Sequence, residues 1–105
     1  MLVEMASLHV REPGGESPEQ CYPLEKQETV LGRDPACDIV IRSLLVSRRH
    51  ARIMGVGEQF YLENMETFGG TRLNGPEVGN HIRGRTLLRD GDEIWFATAV
   101  VQFRE

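Results

Sequence analysis

Turn-forming residues recur roughly every ten positions along this chain, and the runs between them are short. The clusters are Pro13-Gly14-Gly15, Gly32 to Pro35, Gly55 and Gly57, Asn74-Gly75, and Asp90-Gly91-Asp92. No window carries a sustained 3.6-residue apolar period with caps, so helices are not expected. Strands are predicted over residues 6–11, 21–24, 28–32, 38–41, 51–54, 59–63, 71–73, 85–88, 93–96 and 99–104. Gly55 to Gly57 is expected to close a hairpin. Asn74-Gly75 is the strongest two-residue hairpin signal in the chain. Residues 85–88 are expected to pair loosely with 93–96 across the turn from Arg89 to Asp92. Many short strands between turns point to an all-β sandwich. Trp95, Phe96 and Phe103 lie in strand runs and read as core.

The chain has 105 residues, which suits one domain with a modest core. It ends just after its last predicted strand, as an excised module of a longer protein would. The formal charge of −4 argues against a general nucleic-acid binder. Its distribution says more. Residues 1–30 carry Arg11 and Lys26 against six glutamates, whereas residues 31–52 carry five arginines against Asp34 and Asp38. The remainder is acidic again. A local basic stretch on an acidic body suits a small anionic ligand better than a polyanion.

Within that stretch, Arg33 sits on the turn after residues 28–32, and Ser47, Arg48 and His50 sit on the loop after residues 38–41. A short intervening strand would bring both loops to one end of a sheet. Guanidinium supplies forked donors and serine a short one, the chemistry an oxyanion such as phosphate needs. Ser47, His50 and Asp38 also invite comparison with a hydrolase triad. The chain has neither a Gly-x-Ser-x-Gly elbow nor an evident oxyanion hole, and no enzyme is expected.

Cys21 and Cys37 are too few and too irregularly placed for a metal site or a disulfide framework, so no metal or cofactor is expected. Cys37 reads as a buried or half-buried side chain. No apolar run approaches membrane-spanning length. The first residues lack a cationic segment followed by an apolar one, and an intracellular setting, cytoplasmic or nuclear, is the expectation.

Gly32-Arg33, Asp38-Ile39-Val40, Ser47-Arg48-Arg49-His50, Gly70-Thr71, Asn74-Gly75 and Asp90-Gly91-Asp92-Glu93-Ile94 together resemble the forkhead-associated (FHA) family, from about residue 6 to the end. The resemblance implies a β-sandwich of two mainly antiparallel sheets with about eleven short strands and ligand loops at one end. It implies a module that binds phosphothreonine in a protein or peptide, acting in signalling through phosphorylation-dependent protein–protein interaction. Arg33, Ser47 and Arg48 would meet the phosphate or the threonine. Thr67, Phe68, Gly69 and Gly70 match the loop that meets the peptide main chain. Gly32, His50, Thr71, Asn74 and Gly75 would brace the binding loops, with His50 architectural rather than in contact with ligand. The sequence departs from the family at Gly69, where an asparagine usually bonds the peptide backbone. That departure supports an alternative, a phospho-independent interaction or assembly domain on the same sandwich. Leu44, Leu45 and Val46 precede Ser47; either at least one of them faces the peptide or all three pack inward.

Overall fold

The computed structural model describes residues 6–11, 19–65, 69–97 and 99–105. Ten strands run through them: β1 (Ser7–Arg11), β2 (Gln20–Pro23), β3 (Glu28–Gly32), β4 (Ile39–Val40), β5 (Ala51–Val56), β6 (Gln59–Asn64), β7 (Arg72–Leu73), β8 (Thr86–Leu87), β9 (Glu93–Phe96) and β10 (Ala99–Arg104). One short 3₁₀ turn, Val78–Asn80, is the only helical element among the described residues. The strands form two five-stranded sheets, ordered β2-β1-β10-β9-β7 and β4-β3-β5-β6-β8. All pairings are antiparallel except β3 with β4, where Leu31 pairs with Ile39 and Gly32 with Val40.

The sandwich follows from period-two patterning. Along β1, Leu8 and Val10 point inward while Ser7, His9 and Arg11 point out; along β10, Ala99, Val101 and Phe103 point inward. These meet Leu31, Ile39, Ile53 and Leu62 of the other sheet in one core. The same alternation corrects one expectation. Phe96 and Phe103 are fully buried, but Trp95 falls on the outward phase of β9 between Ile94 and Phe96 and is only half-buried.

Two predicted hairpins are also corrected. Thr86–Leu87 does not pair with Glu93–Phe96. It joins β6 through Tyr61↔Leu87 and Leu62↔Thr86, so the turn at Arg89 to Asp92 carries the chain from one sheet to the other. Asn74-Gly75 forms a tight turn with positive φ at both residues, but β7 pairs along its length with β9 and makes only an isolated antiparallel bridge, Arg72↔His81, to the chain beyond the turn. The Asn74 side chain explains why. Its Oδ1 accepts the Glu93 N–H at 2.9 Å and its Nδ2 donates to Asp92 at 3.0 Å, stitching the turn to the entry of β9. Gly75 suits the turn because its φ of +152 is a conformation that side-chain-bearing residues rarely adopt.

Candidate functional site

At the end of β3 the chain turns into the loop 33–38 and returns as β4, after which the loop 42–50 leads into β5. Backbone bonds hold the two loops together. The Arg33 N–H donates to the Ser47 carbonyl at 3.0 Å, and the Asp34 N–H to the Arg48 carbonyl at 3.0 Å. Gly32 makes this approach possible, because a Cβ at that position would lie 2.2 Å from the Arg48 carbonyl oxygen. The convergence inferred from the sequence is therefore present, and Gly32 is its steric condition.

Arg33 is half-buried. Its Nε donates to the Val46 carbonyl at 3.1 Å, which fixes the plane of the guanidinium beside Ser47. Its terminal nitrogens and the Ser47 hydroxyl have no protein partner among the described residues. Arg48 is exposed at the same loop. Arg49 turns elsewhere: it lines an open cavity of about 360 Å³ with Glu28, Val30, Asp34, Ala36, Cys37 and Asp38. Arg52, by contrast, is held between Glu28 and Glu63 by ion pairs.

His50 is buried and edge-on to Phe96, with ring centroids 5.0 Å apart. Its Nδ1 accepts the Ser47 N–H at 3.0 Å, so Nε2 bears the proton and donates to the Gly70 carbonyl at 2.7 Å. Burial pushes its pKa below the ordinary imidazole value, which favours this neutral form. One ring thus links the loop carrying Ser47 to the loop carrying Gly69 and Gly70. Gly70 has φ +70 and a Cβ there would meet His81 Nδ1 at 2.6 Å, so this position also requires glycine. Thr71 is buried and donates its hydroxyl to Asn64 Oδ1 at 2.7 Å, while the Met65 N–H donates to the His50 carbonyl at 2.9 Å.

The structure therefore brings Arg33, Ser47, Arg48 and Gly70 to one end, braced by Gly32, His50 and Thr71. Asn74 and Gly75 brace the β7–β9 junction instead. Gly69 is exposed, lacks positive φ, and has open space around its Cβ position. Thr67 and Phe68 lie outside the described residues. Of the apolar triplet, Val46 packs in the core, whereas Leu44 and Leu45 are 89% and 70% exposed. Sequence reasoning missed three supports. Asn64 holds Thr71. Cys37 donates its thiol to the Arg48 carbonyl at 3.1 Å. The Asp38 carboxylate accepts the Val30 N–H at 2.8 Å and pairs with Lys26, two contacts that draw its pKa down. Both cysteines are free thiols, and no group of three or more metal-type ligands occurs among the described residues. No described helix is long and apolar enough to cross a membrane.

Comparison with known proteins places this geometry. The chain is 34% identical over 71 residues to the oxoglutarate dehydrogenase inhibitor of Corynebacterium jeikeium, covering 68% of this chain and 46% of that protein. It is 34% identical over 73 residues to the transcriptional regulatory protein EmbR of Mycobacterium tuberculosis, covering 70% of this chain and 18% of the relative. The chain thus spans less than half the length of the curated relatives it matches. In three dimensions it resembles Mycobacterium tuberculosis EmbR solved with a low-affinity phosphopeptide, at TM-score 0.80 and 30% identity over 95% of this chain and 24% of that one. The FHA domain of the CT664 protein of Chlamydia trachomatis shares the fold at TM-score 0.84 and 21% identity, covering 97% and 98% of the two chains. The profile of the FHA domain matches residues 29–97, the span that holds Gly32, Arg33, Ser47, His50 and Gly70: the chain belongs to the FHA domain family.

Proposed function

We propose that this domain recognises phosphothreonine in a partner protein or peptide and so mediates a phosphorylation-dependent protein–protein interaction in signalling. The observation that carries the reading is the placement of Arg33. Its Nε is anchored on the Val46 carbonyl while its backbone N–H holds the Ser47 carbonyl, so a guanidinium and a hydroxyl belong to two loops tied at one corner. The guanidinium supplies forked, charge-assisted donors to a phosphate oxygen pair, and Ser47 supplies a short neutral one. Arg48, exposed on the same loop, adds positive charge beside them. Gly69 and Gly70, with Thr67 and Phe68, meet the peptide main chain. The relative EmbR, solved in complex with a low-affinity phosphopeptide, supports the assignment of ligand class. A non-catalytic role fits: His50 has both ring nitrogens committed to the backbone and is not free to act as a base on Ser47.

The test is calorimetry with matched phosphothreonine, phosphoserine and unphosphorylated peptides drawn from a library hit. Binding should require the phosphate and favour threonine. Arg33→Ala should remove most of the affinity while the domain stays folded, since truncating one partner of a desolvated charge pair typically costs about 2–5 kcal/mol. Wild-type affinity in a folded Arg33→Ala protein defeats the assignment. A second reading rests on Gly69: without a side chain there to bond the peptide backbone, the sandwich serves phospho-independent assembly. Equal affinity for phosphorylated and unphosphorylated peptides would select it.

A further inference from the structure

Away from the phosphate-binding end, a cluster of nucleophilic and titratable side chains stands on the outer face of the β2-β1-β10-β9-β7 sheet. The outward phase of β1 carries Ser7 and His9, and the β1–β2 register sets Cys21 directly opposite His9. The imidazole Nε2 lies 3.1 Å from Ser7 Oγ and 3.7 Å from Cys21 Sγ. Cys21 is exposed. The other cysteine differs in each respect. Cys37 is half-buried, its thiol is spent on the Arg48 carbonyl, and burial together with Asp34 raises its pKa, so it stays protonated.

Thiol chemistry runs through the thiolate, so an exposed thiol with a base in reach is chemically distinct from one held as a hydrogen-bond donor. Imidazole is the side chain best suited to take that proton near neutral pH. We propose that Cys21 is a thiol-modification site, with His9 as its base, that reacts with low-molecular-weight disulfides. In the step, the Cys21 proton passes to His9 Nε2 and the thiolate attacks one sulfur of the disulfide. A new S–S bond forms at Cys21 and the old one breaks. The departing sulfur leaves as a thiolate and takes the proton back from His9. Cys21 is oxidised and the leaving half is reduced, so the small disulfide is itself the two-electron oxidant. While the imidazolium exists, its Nε2–H has the Ser7 oxygen as an acceptor at 3.1 Å.

The site is independent of phosphopeptide binding, and so is its test. The whole chain is incubated with oxidised glutathione at pH 7.5, quenched with acid, and digested with trypsin. Cleavage at Arg11 and Lys26 isolates Cys21, and cleavage at Arg33 and Arg42 isolates Cys37, so mass spectrometry gives a rate for each. In folded wild type, Cys21 should form the mixed disulfide at least fivefold faster than Cys37. His9→Ala should slow Cys21 at least fivefold, with folding checked by circular dichroism and His9→Gln used if the alanine variant does not fold. In urea-unfolded chains the difference between wild type and variant should vanish. A smaller effect in either folded comparison, or one that persists in urea, overturns the proposal.

Discussion

The sharpest consequence of the geometry attaches to Gly32→Ala. An added methyl would lie 2.2 Å from the Arg48 carbonyl oxygen, 2.8 Å from its carbon and 3.0 Å from Arg49 Cα, all of them backbone atoms that no rotamer change can move. Taking an ordinary contact as about 3.5 Å, the loop carrying Ser47 must retreat by about 1.3 Å. The bonds from the Arg33 and Asp34 amides to that loop, each 3.0 Å long, would then open past hydrogen-bonding range. Two backbone bonds at about 0.5–1.5 kcal/mol each, plus about 1–3 kcal/mol for overpacking, give a loss of about 2–6 kcal/mol. Against a total of about 5–15 kcal/mol for a domain of this kind, the variant stays folded at low temperature with a depleted margin. Urea unfolding at constant m-value measures the loss, and calorimetry on the folded variant should show phosphopeptide affinity reduced at least tenfold, because Ser47 has moved away from Arg33. A loss of stability under 1 kcal/mol with unchanged affinity would show that the close approach of Gly32 to Arg48 does not organise the site.

Three further outcomes are expected. Gly69→Asn should tighten phosphopeptide binding by up to about tenfold, because one neutral hydrogen bond to the peptide main chain is worth about 0.5–1.5 kcal/mol and the position has open space without positive φ; unchanged affinity in calorimetry argues for the phospho-independent reading. Because burial lowers the pKa of His50 in the folded chain, the unfolded chain binds its proton first, so this residue's contribution to stability is full above about pH 6.5 and is lost as pH falls below that; denaturant midpoints across that range should slope in wild type and flatten in His50→Gln. Replacing exposed Leu44 and Leu45 by serine should leave stability within about 0.5 kcal/mol, yet weaken ligands with an apolar residue three positions after the phosphothreonine by about fivefold, close to 1 kcal/mol; a peptide array preferring aspartate at that position would sink the idea.

Much of the fold was legible because turn chemistry and strand alternation act locally. Gly32-Arg33, Asn74-Gly75 and Asp90-Gly91-Asp92 each mark a real turn. Their partners are another matter. The strand after Arg85 is only two residues long, Thr86–Leu87, and so brief a run does not specify its neighbour; packing assigns it to β6 across the sandwich. Residue type alone puts Trp95 in the core, whereas the phase set by Ile94 and Phe96 places it outward. At the site, turn and strand pattern place Arg33 and Ser47 on neighbouring loops, while the bracing role of His50 comes from the family resemblance. Cys37 and Asn64 were not legible, since their bonds to Arg48 and Thr71 exist only once separate loops have met.

The bracing by His50 has a consequence for how ligands come and go. Ser47 and Gly70 are held at a separation set by the width of one imidazole ring, whose two nitrogens serve one loop each. The conformational entropy of fixing Ser47 against Gly70 is therefore spent when the domain folds, not when a ligand arrives. The backbone at these two residues should differ little between free and bound forms, in the manner of other preorganised interfaces. Association then proceeds at the pace of encounter and orientation, and ligands that differ in affinity will differ mainly in how long they stay.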